Sequence, residues 1–217
     1  MGKLLVVGNE KGGVGKSTIT CNIAIQMLND GNDVLVVDTD RQNSLGDFCE
    51  HRNAMDSVKK LSCIQKCGDT FDALNDLKGR YDYVVVDAGG QDSVELRSSL
   101  MCADLHIMPL KASQFDLWAC QRMDELLKRV SSLNRSIKTK TLINMASTHI
   151  AVTEGSEALS FLNDFEIIGN LFKTIIHERK GFRDSIKNGI NITEYDPISK
   201  AALEFKNLYA EIKNELQ

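Results

Sequence analysis

The chain has 217 residues, a formal net charge of −4 and a pI near 5.6, with 42% hydrophobic and 26% charged residues. That length and balance suit one soluble domain spanning residues 1–217, with a core large enough to need no disulfide staples. They exclude a uniformly basic nucleic-acid binder, so any DNA contact has to come from a local patch.

The N-terminal apolar run is too short for a signal segment, and no stretch approaches the ~20 apolar residues of a membrane span. The expected location is therefore the cytoplasm. Six cysteines fall at 21, 49, 63, 67, 102 and 120. Cys63 and Cys67 lack a second Cys/His pair nearby, so reduced thiols are expected rather than a metal site.

In chain order, a strand is expected at Lys3–Val7, then a glycine-rich loop, then a helix at Lys16–Asn29 carrying Ile19, Ile23, Ile25, Met27 and Leu28. Gly31 stands where a helix C-cap glycine belongs. Strands follow at 34–37, ending in Asp38, and at 83–86, ending in Asp87. Further strands are expected at 105–110, 139–143 and 166–168. Helices are expected near 69–78, 92–102, 115–131, 154–163, 178–188 and 199–216. Short apolar strands alternating with helices predict an α/β fold, a mostly parallel twisted sheet with helices on both faces. In such sheets ligands sit at the carboxyl ends of strands.

Residues 11–18 read Lys-Gly-Gly-Val-Gly-Lys-Ser-Thr between a strand and a helix, the context of a P-loop. Gly12, Gly13 and Gly15 let the backbone turn and aim N–H groups, with that of Val14, at phosphate oxygens. Lys16 would reach the β- and γ-phosphates, Ser17 would ligate Mg²⁺, and Thr18 could donate to the α-phosphate. The usual first glycine of the motif is replaced by Glu10, and Lys11 follows it. Taken alone, Lys11 reads as a solvent-facing lysine.

The whole string resembles the deviant P-loop of the ParA/MinD group of ATPases. The resemblance implies ATP and Mg²⁺ as cofactors and a homodimer in the ATP-bound state. It also implies that Lys11 reaches across that dimer to the partner's nucleotide, as an arginine finger does. The Asp38-Thr39-Asp40-Arg41-Gln42 segment resembles the family's switch I, with Arg41 where relatives usually have proline. Asp38 is placed near the Mg²⁺ shell, and Asp40 is the candidate that orients the attacking water. The alternative is that both merely end a strand and cap the segment after it. Asp87 resembles the Walker B carboxylate that holds a Mg²⁺-bound water. Ala88, Gly89 and Gly90 resemble the glycine-rich switch of short ParA proteins without an N-terminal DNA-binding domain. Asn144 ends a strand where related ATPases read the adenine edge; a plain turn residue is the alternative. For Trp118, core or dimer packing is expected.

Between residues 173 and 187, Lys173, Arg179, Lys180, Arg183 and Lys187 stand against two acids. Arg179, Arg183 and Lys187, spaced by four, are expected on one helix face. They read either as a solvated face or, with Lys200, as a phosphate-binding stripe for nonspecific DNA. Residues 194–200 also resemble the family's C-terminal segment. The resemblance implies a DNA-segregation ATPase that associates with the nucleoid when ATP-bound and is reset by a ParB-like centromere-binding partner. The rivals are a MinD-like membrane switch, positioning of a protein cargo on the nucleoid, and a metabolic P-loop ligase. The last helix carries nearly balanced charge and a core-like stripe (Leu203, Leu208, Ile212, Leu216), so no stable membrane association is expected.

Overall fold

The computed structural model describes residues 2–40, 43–90, 92–111, 117–148 and 161–217. Among the described residues, six strands form one sheet in the order β3-β2-β4-β1-β5-β6. They are β1 (Lys3–Val7), β2 (Val34–Asp38), β3 (Ser62–Gln65), β4 (Tyr83–Asp87), β5 (Leu105–Lys111) and β6 (Lys138–Asn144), and every pairing is parallel. The central strands are apolar on both faces because helices cover both. Leu5, Val7, Val36 and Val85 point to one face, where α1 (Lys16–Asn29), α2 (Ser44–Asn53) and three C-terminal helices pack. Those three are α6 (Lys180–Lys187), α7 (Ile192–Tyr195) and α8 (Lys200–Leu216). Leu4, Val6, Val37 and Val84 point to the other face, against α3 (Phe71–Lys78), α4 (Val94–Cys102) and α5 (Leu117–Leu133).

Topology brings three chain segments to one spot. β4 lies between β1 and β2, with Val7 in register with Asp87 and Asp87 in register with Asp38. The loop after β1 and both strand-end aspartates therefore emerge side by side at the carboxyl edge of the sheet.

Gly31, with φ of 96°, adopts the left-handed backbone expected just past α1. The expected strands at 34–37, 83–86, 105–110 and 139–143 are all present. Three differences have local causes. Residues 166–168 form a turn rather than a strand: the buried Asp124 carboxylate accepts the amides of Ile167 and Ile168, at 2.9 and 3.1 Å, so this apolar run packs over α5. Beyond β6 the chain makes only single bridges, at Leu171 and His177, among the described residues. The helix α2 and the edge strand β3 carry little apolar periodicity, and no residue of β3 is fully buried, so pattern reading passed over both. Of the helix expected at 154–163, only the last residues fall within the described part of the chain, where 161 and 162 are helical. Residues 115 and 116 also lie outside it.

A buried ion pair joins α2 to the C-terminal segment. Arg52 is fully buried; its guanidinium grips both carboxylate oxygens of Glu194 at 3.0 Å and donates to the carbonyls of Lys59 and Gly189. Burial pushes the Glu194 carboxyl up, but Arg52, Asn29 and the Asn191 amide together hold it below its ordinary value. Glu194 also completes the capping box of α7. Removing one partner strands the other charge: Arg52→Leu is expected to cost about 3–5 kcal/mol in urea unfolding. Adding Glu194→Gln should recover part of that loss, and an additive double variant would show that the pair is not coupled.

Candidate nucleotide-binding site

The loop after β1 is shaped by contacts far along the chain. Asn9 is 4% exposed; its amide donates to the Pro109 carbonyl at 2.8 Å and its oxygen accepts the Lys11 amide at 3.1 Å. That carboxamide sets the direction in which the loop leaves the sheet. Beneath it, buried His106 pairs through Nε2 with the Gly8 carbonyl at 3.1 Å. Burial pushes its pKa down to about 4, so the ring is neutral at pH 7.

Gly13 and Gly15 have φ of 73° and 88°, a backbone region that side chains disfavour. At Gly15 a Cβ would also lie 2.4 Å from the Asn144 amide nitrogen. That nitrogen donates to the carbonyl of buried Val14 at 2.7 Å, so Asn144 buttresses the loop from the end of β6. Gly12 is exposed. Gly15 precedes α1 with no side-chain cap, and no acid occupies the first helical turn. The helix start thus offers unpaired N–H groups and its partial positive charge to an anion.

Lys16 is half-buried and its ammonium donates to the Lys11 carbonyl at 3.0 Å. Burial lowers its pKa, with Asp87 and Asp40 opposing. Ser17 Oγ donates to Asp87 at 2.6 Å, and Thr20 donates to the same carboxylate at 3.3 Å. Asp87 is 4% exposed, and burial lifts its pKa to about 7 against the hydrogen bond from Ser17. A buried carboxylate this poorly compensated, touching a hydroxyl, suits a small hard cation. Among the described residues no group of three His, Cys, Asp or Glu side chains is placed to hold a metal ion. One hydroxyl beside one buried carboxylate fits Mg²⁺, which takes one or two protein oxygens and completes its shell with phosphate and water.

The two switch-like aspartates separate in role. Asp38 is 1% exposed and burial raises its pKa. Its two oxygens accept the Asp40 and Leu45 amides at 2.8 and 3.1 Å. Because Leu45 lies in the first turn of α2, Asp38 supplies the cap that Asn43 does not. These contacts are those of the strand-ending, capping alternative for Asp38. Asp40 is half-buried, and its carboxylate faces Gly89, where an added Cβ would lie 3.7 Å from Oδ2. A Cβ at Gly90 would lie 3.2 Å from the Lys16 ammonium. The loops bearing Asp40, Lys16 and Gly89–Gly90 thus enclose one space.

Beside the helix start, a cavity is lined by Gly15, Thr18, Asn144, Met145, Phe182 and Arg183, among others. Met145 stands at φ of 53°, a left-handed backbone that side chains seldom adopt, directly after Asn144.

The basic residues do not form the expected stripe. Arg179 precedes α6 in extended conformation and is tied to Glu204, the closer contact at 2.6 Å. Its extended φ and ψ break the helical spacing, so only Arg183 and Lys187 share the face. Lys180 is exposed and pairs with Asp184 at 3.5 Å. Lys173, Arg183, Lys187 and Lys200 are exposed. Trp118 is 70% exposed beside Leu117, so it is not a core residue. Leu203 is likewise exposed, whereas Leu208, Ile212 and Leu216 are buried. Asn9 was not legible as a site residue, since a polar residue after an apolar strand is an ordinary turn signal. The contact of Glu10 with Arg122 on α5, at 3.5 Å, was equally invisible.

The chain is similar over its whole length to known proteins. It is 24% identical over 214 residues to the "Maintenance of carboxysome distribution protein A" of Halothiobacillus neapolitanus, covering 98% of this chain and 95% of that one. It is 23% identical to the "Sporulation initiation inhibitor protein Soj" of Bacillus subtilis, covering 98% of each. Its fold matches a putative plasmid partition protein from Borrelia burgdorferi, solved with AMPPNP, with a TM-score of 0.72 at 21% identity over the full length of both chains. It also matches Cyanothece apo McdA, with a TM-score of 0.76 at 16% identity over both full lengths. Residues 5–192 match the CobQ/CobB/MinD/ParA nucleotide binding domain, and the chain belongs to that family of P-loop ATPases.

Proposed function

We propose that this ATPase is a DNA-positioning switch: two ATP-bound copies close face to face, hold nonspecific DNA, and let go after hydrolysis stimulated by a ParB-like, centromere-bound partner. The observation that carries the DNA reading is the exposed set Arg183, Lys187 and Lys200, none in an ion pair among the described residues of an acidic chain. Arg183 also lines the cavity beside the nucleotide loop, which supports coupling between nucleotide and DNA. Relatives named Soj and ParA support partition as the purpose. The carboxysome-distribution relative supports a protein cargo as the alternative load of the same switch.

In this reading the loop amides, the start of α1 and Lys16 bind and orient the phosphates. Ser17 and Asp87 hold Mg²⁺, which neutralises phosphate charge when bound. Asp40 orients the attacking water and accepts its proton as the water oxygen bonds to the γ-phosphorus and the bond from that phosphorus to the β,γ-bridging oxygen breaks, ADP carrying off the electron pair. Lys11, supplied by the partner copy, adds positive charge and ties hydrolysis to dimerisation.

The membrane reading is not favoured. No described helix is long and apolar enough to cross a bilayer, and the apolar side of α8 is spent on the core through Phe205, Leu208, Ile212 and Leu216. The test is anisotropy of a labelled random-sequence duplex with Mg-ATP, with ADP and without nucleotide. Tight binding is expected only with ATP, and no binding in any state would overturn the DNA reading. Changing Arg183, Lys187 and Lys200 to alanine should weaken binding and flatten log K against log salt by roughly 0.9 for each phosphate no longer neutralised. An undiminished salt slope would move the patch elsewhere.

A further inference from the structure

Thr39, between the two switch-like aspartates, has no catalytic atom of its own, yet it is only 4% exposed and ties both loops together. Its amide donates to the Asp87 carbonyl at 3.1 Å, and its hydroxyl donates to the same carbonyl at 2.9 Å. The hydroxyl oxygen also accepts the Gly89 amide over a longer 3.4 Å. Gly89 is the residue that Asp40 faces. The next residue, Gly90, packs on Lys16 and the loop backbone at Gly12 and Glu10. Regular pairing of β2 with β4 ends at Asp38 and Asp87. Thr39 extends that contact by one residue, where both chains leave the sheet. A threonine suits the position because its single hydroxyl both donates and accepts, and its β-branched stem holds one rotamer.

We infer that Thr39 is a positioning residue for hydrolysis: by stapling the Asp87 carbonyl and the Gly89 amide to the strand that carries Asp40, it fixes the Asp40 carboxylate relative to the Asp87–Gly90 segment. The inference rests on the reading of Asp40 as the water-orienting carboxylate. Losing the staple leaves every phosphate contact of residues 11–18 in place, so substrate binding is spared while the reacting geometry loosens. A displacement of about 1 Å in such a geometry costs up to ~10²-fold in rate.

The test compares Thr39→Val, Thr39→Ser and Asp40→Ala, alone and as the Thr39→Val/Asp40→Ala pair, in full-length protein. ATP turnover is measured alongside amide hydrogen exchange across residues 88–90 without nucleotide. Thr39→Val is expected to lower kcat by roughly 10- to 100-fold with KM for ATP unchanged. It should also speed exchange at Gly89 about fivefold. Thr39→Ser should restore both, because the hydroxyl is retained. In the Asp40→Ala background, Thr39→Val should slow turnover no further.

Multiplying effects in the double variant would overturn the inference, since Thr39 would then act apart from Asp40. Unchanged exchange and kcat in Thr39→Val would overturn it as well. A rise in KM alone would overturn it in favour of a binding role. If Asp40→Ala alone turned over ATP normally, the catalytic reading of Asp40 would fall. That failure is separate from failure of the staple, which Gly89 exchange reports directly.

Discussion

Replacing Asp40 with alanine is expected to slow ATP hydrolysis by about 10²–10⁴-fold while leaving nucleotide binding intact, the usual range for removal of a group that takes a proton in the transition state. Asp40 is well held for such work. Its amide is pinned to Asp38, its carbonyl accepts Gln65 Nε2 at 2.9 Å and the Asn43 amide at 3.2 Å, and its carboxylate faces the loop next to Lys16. None of the phosphate-facing groups of residues 11–18 depends on that carboxylate, so ATP affinity should persist and ATP-bound dimer should accumulate. Gel filtration with Mg-ATP, paired with single-turnover hydrolysis, checks both halves. Asp40→Asn separates the contributions: an amide still accepts a hydrogen bond from water but is a far weaker base. Wild-type turnover in Asp40→Ala would remove Asp40 from the reaction and return it to the capping role that Asp38 already fills.

Asp87→Asn is expected to do two opposite things: to stabilise the nucleotide-free chain and to abolish Mg²⁺-dependent hydrolysis. The first comes from burial. With its pKa raised from 3.8 to about 7, the carboxyl keeps its proton in the folded chain over a range where the unfolded chain has released it. Its contribution to stability is therefore complete below pH ~4 and is lost as pH rises through about 7. At pH 8 the buried charge costs roughly 4 kcal/mol, and asparagine, which still accepts from Ser17, removes that cost. Urea unfolding without nucleotide should show Asp87→Asn more stable than wild type at pH 8, with the gain shrinking towards pH 5. An equal gain at both values would mean that charge burial is not the cause. The second effect comes from chemistry, because a neutral amide oxygen attracts Mg²⁺, or a water bound to it, far less than a carboxylate does. The extra thermal stability that ATP confers should no longer depend on Mg²⁺ in the variant. A retained Mg²⁺ dependence would place the cation elsewhere.

Several features of this protein are properties of short stretches of chain and could be read from them. The phosphate loop is one, because left-handed backbone at Gly13 and Gly15 and a helix opening at Lys16 are local demands met by local residues. The strands that end in Asp38 and Asp87 are another, since continuous apolar runs between helices leave few places to go but the middle of a covered parallel sheet. What the sequence could not decide is what each polar side chain meets. Asn144 finds the Val14 carbonyl, Arg52 finds Glu194 and Arg179 finds Glu204 across 130, 142 and 25 residues. Those pairings depend on strand order and helix placement, not on periodicity. Asp38 and Asp40 look alike in the chain. Only the start of α2 at Ser44 assigns one to the backbone amides and the other to the space beside Lys16. The edge strand β3 escaped notice because, among the described residues, only β2 pairs with it and no residue in it is fully buried, which removes the apolar signal that marks a strand. Local backbone demands and apolar periodicity thus determined the fold class and the phosphate loop, while the long-range packing of the sheet alone decided which carboxylate, amide and guanidinium face that loop.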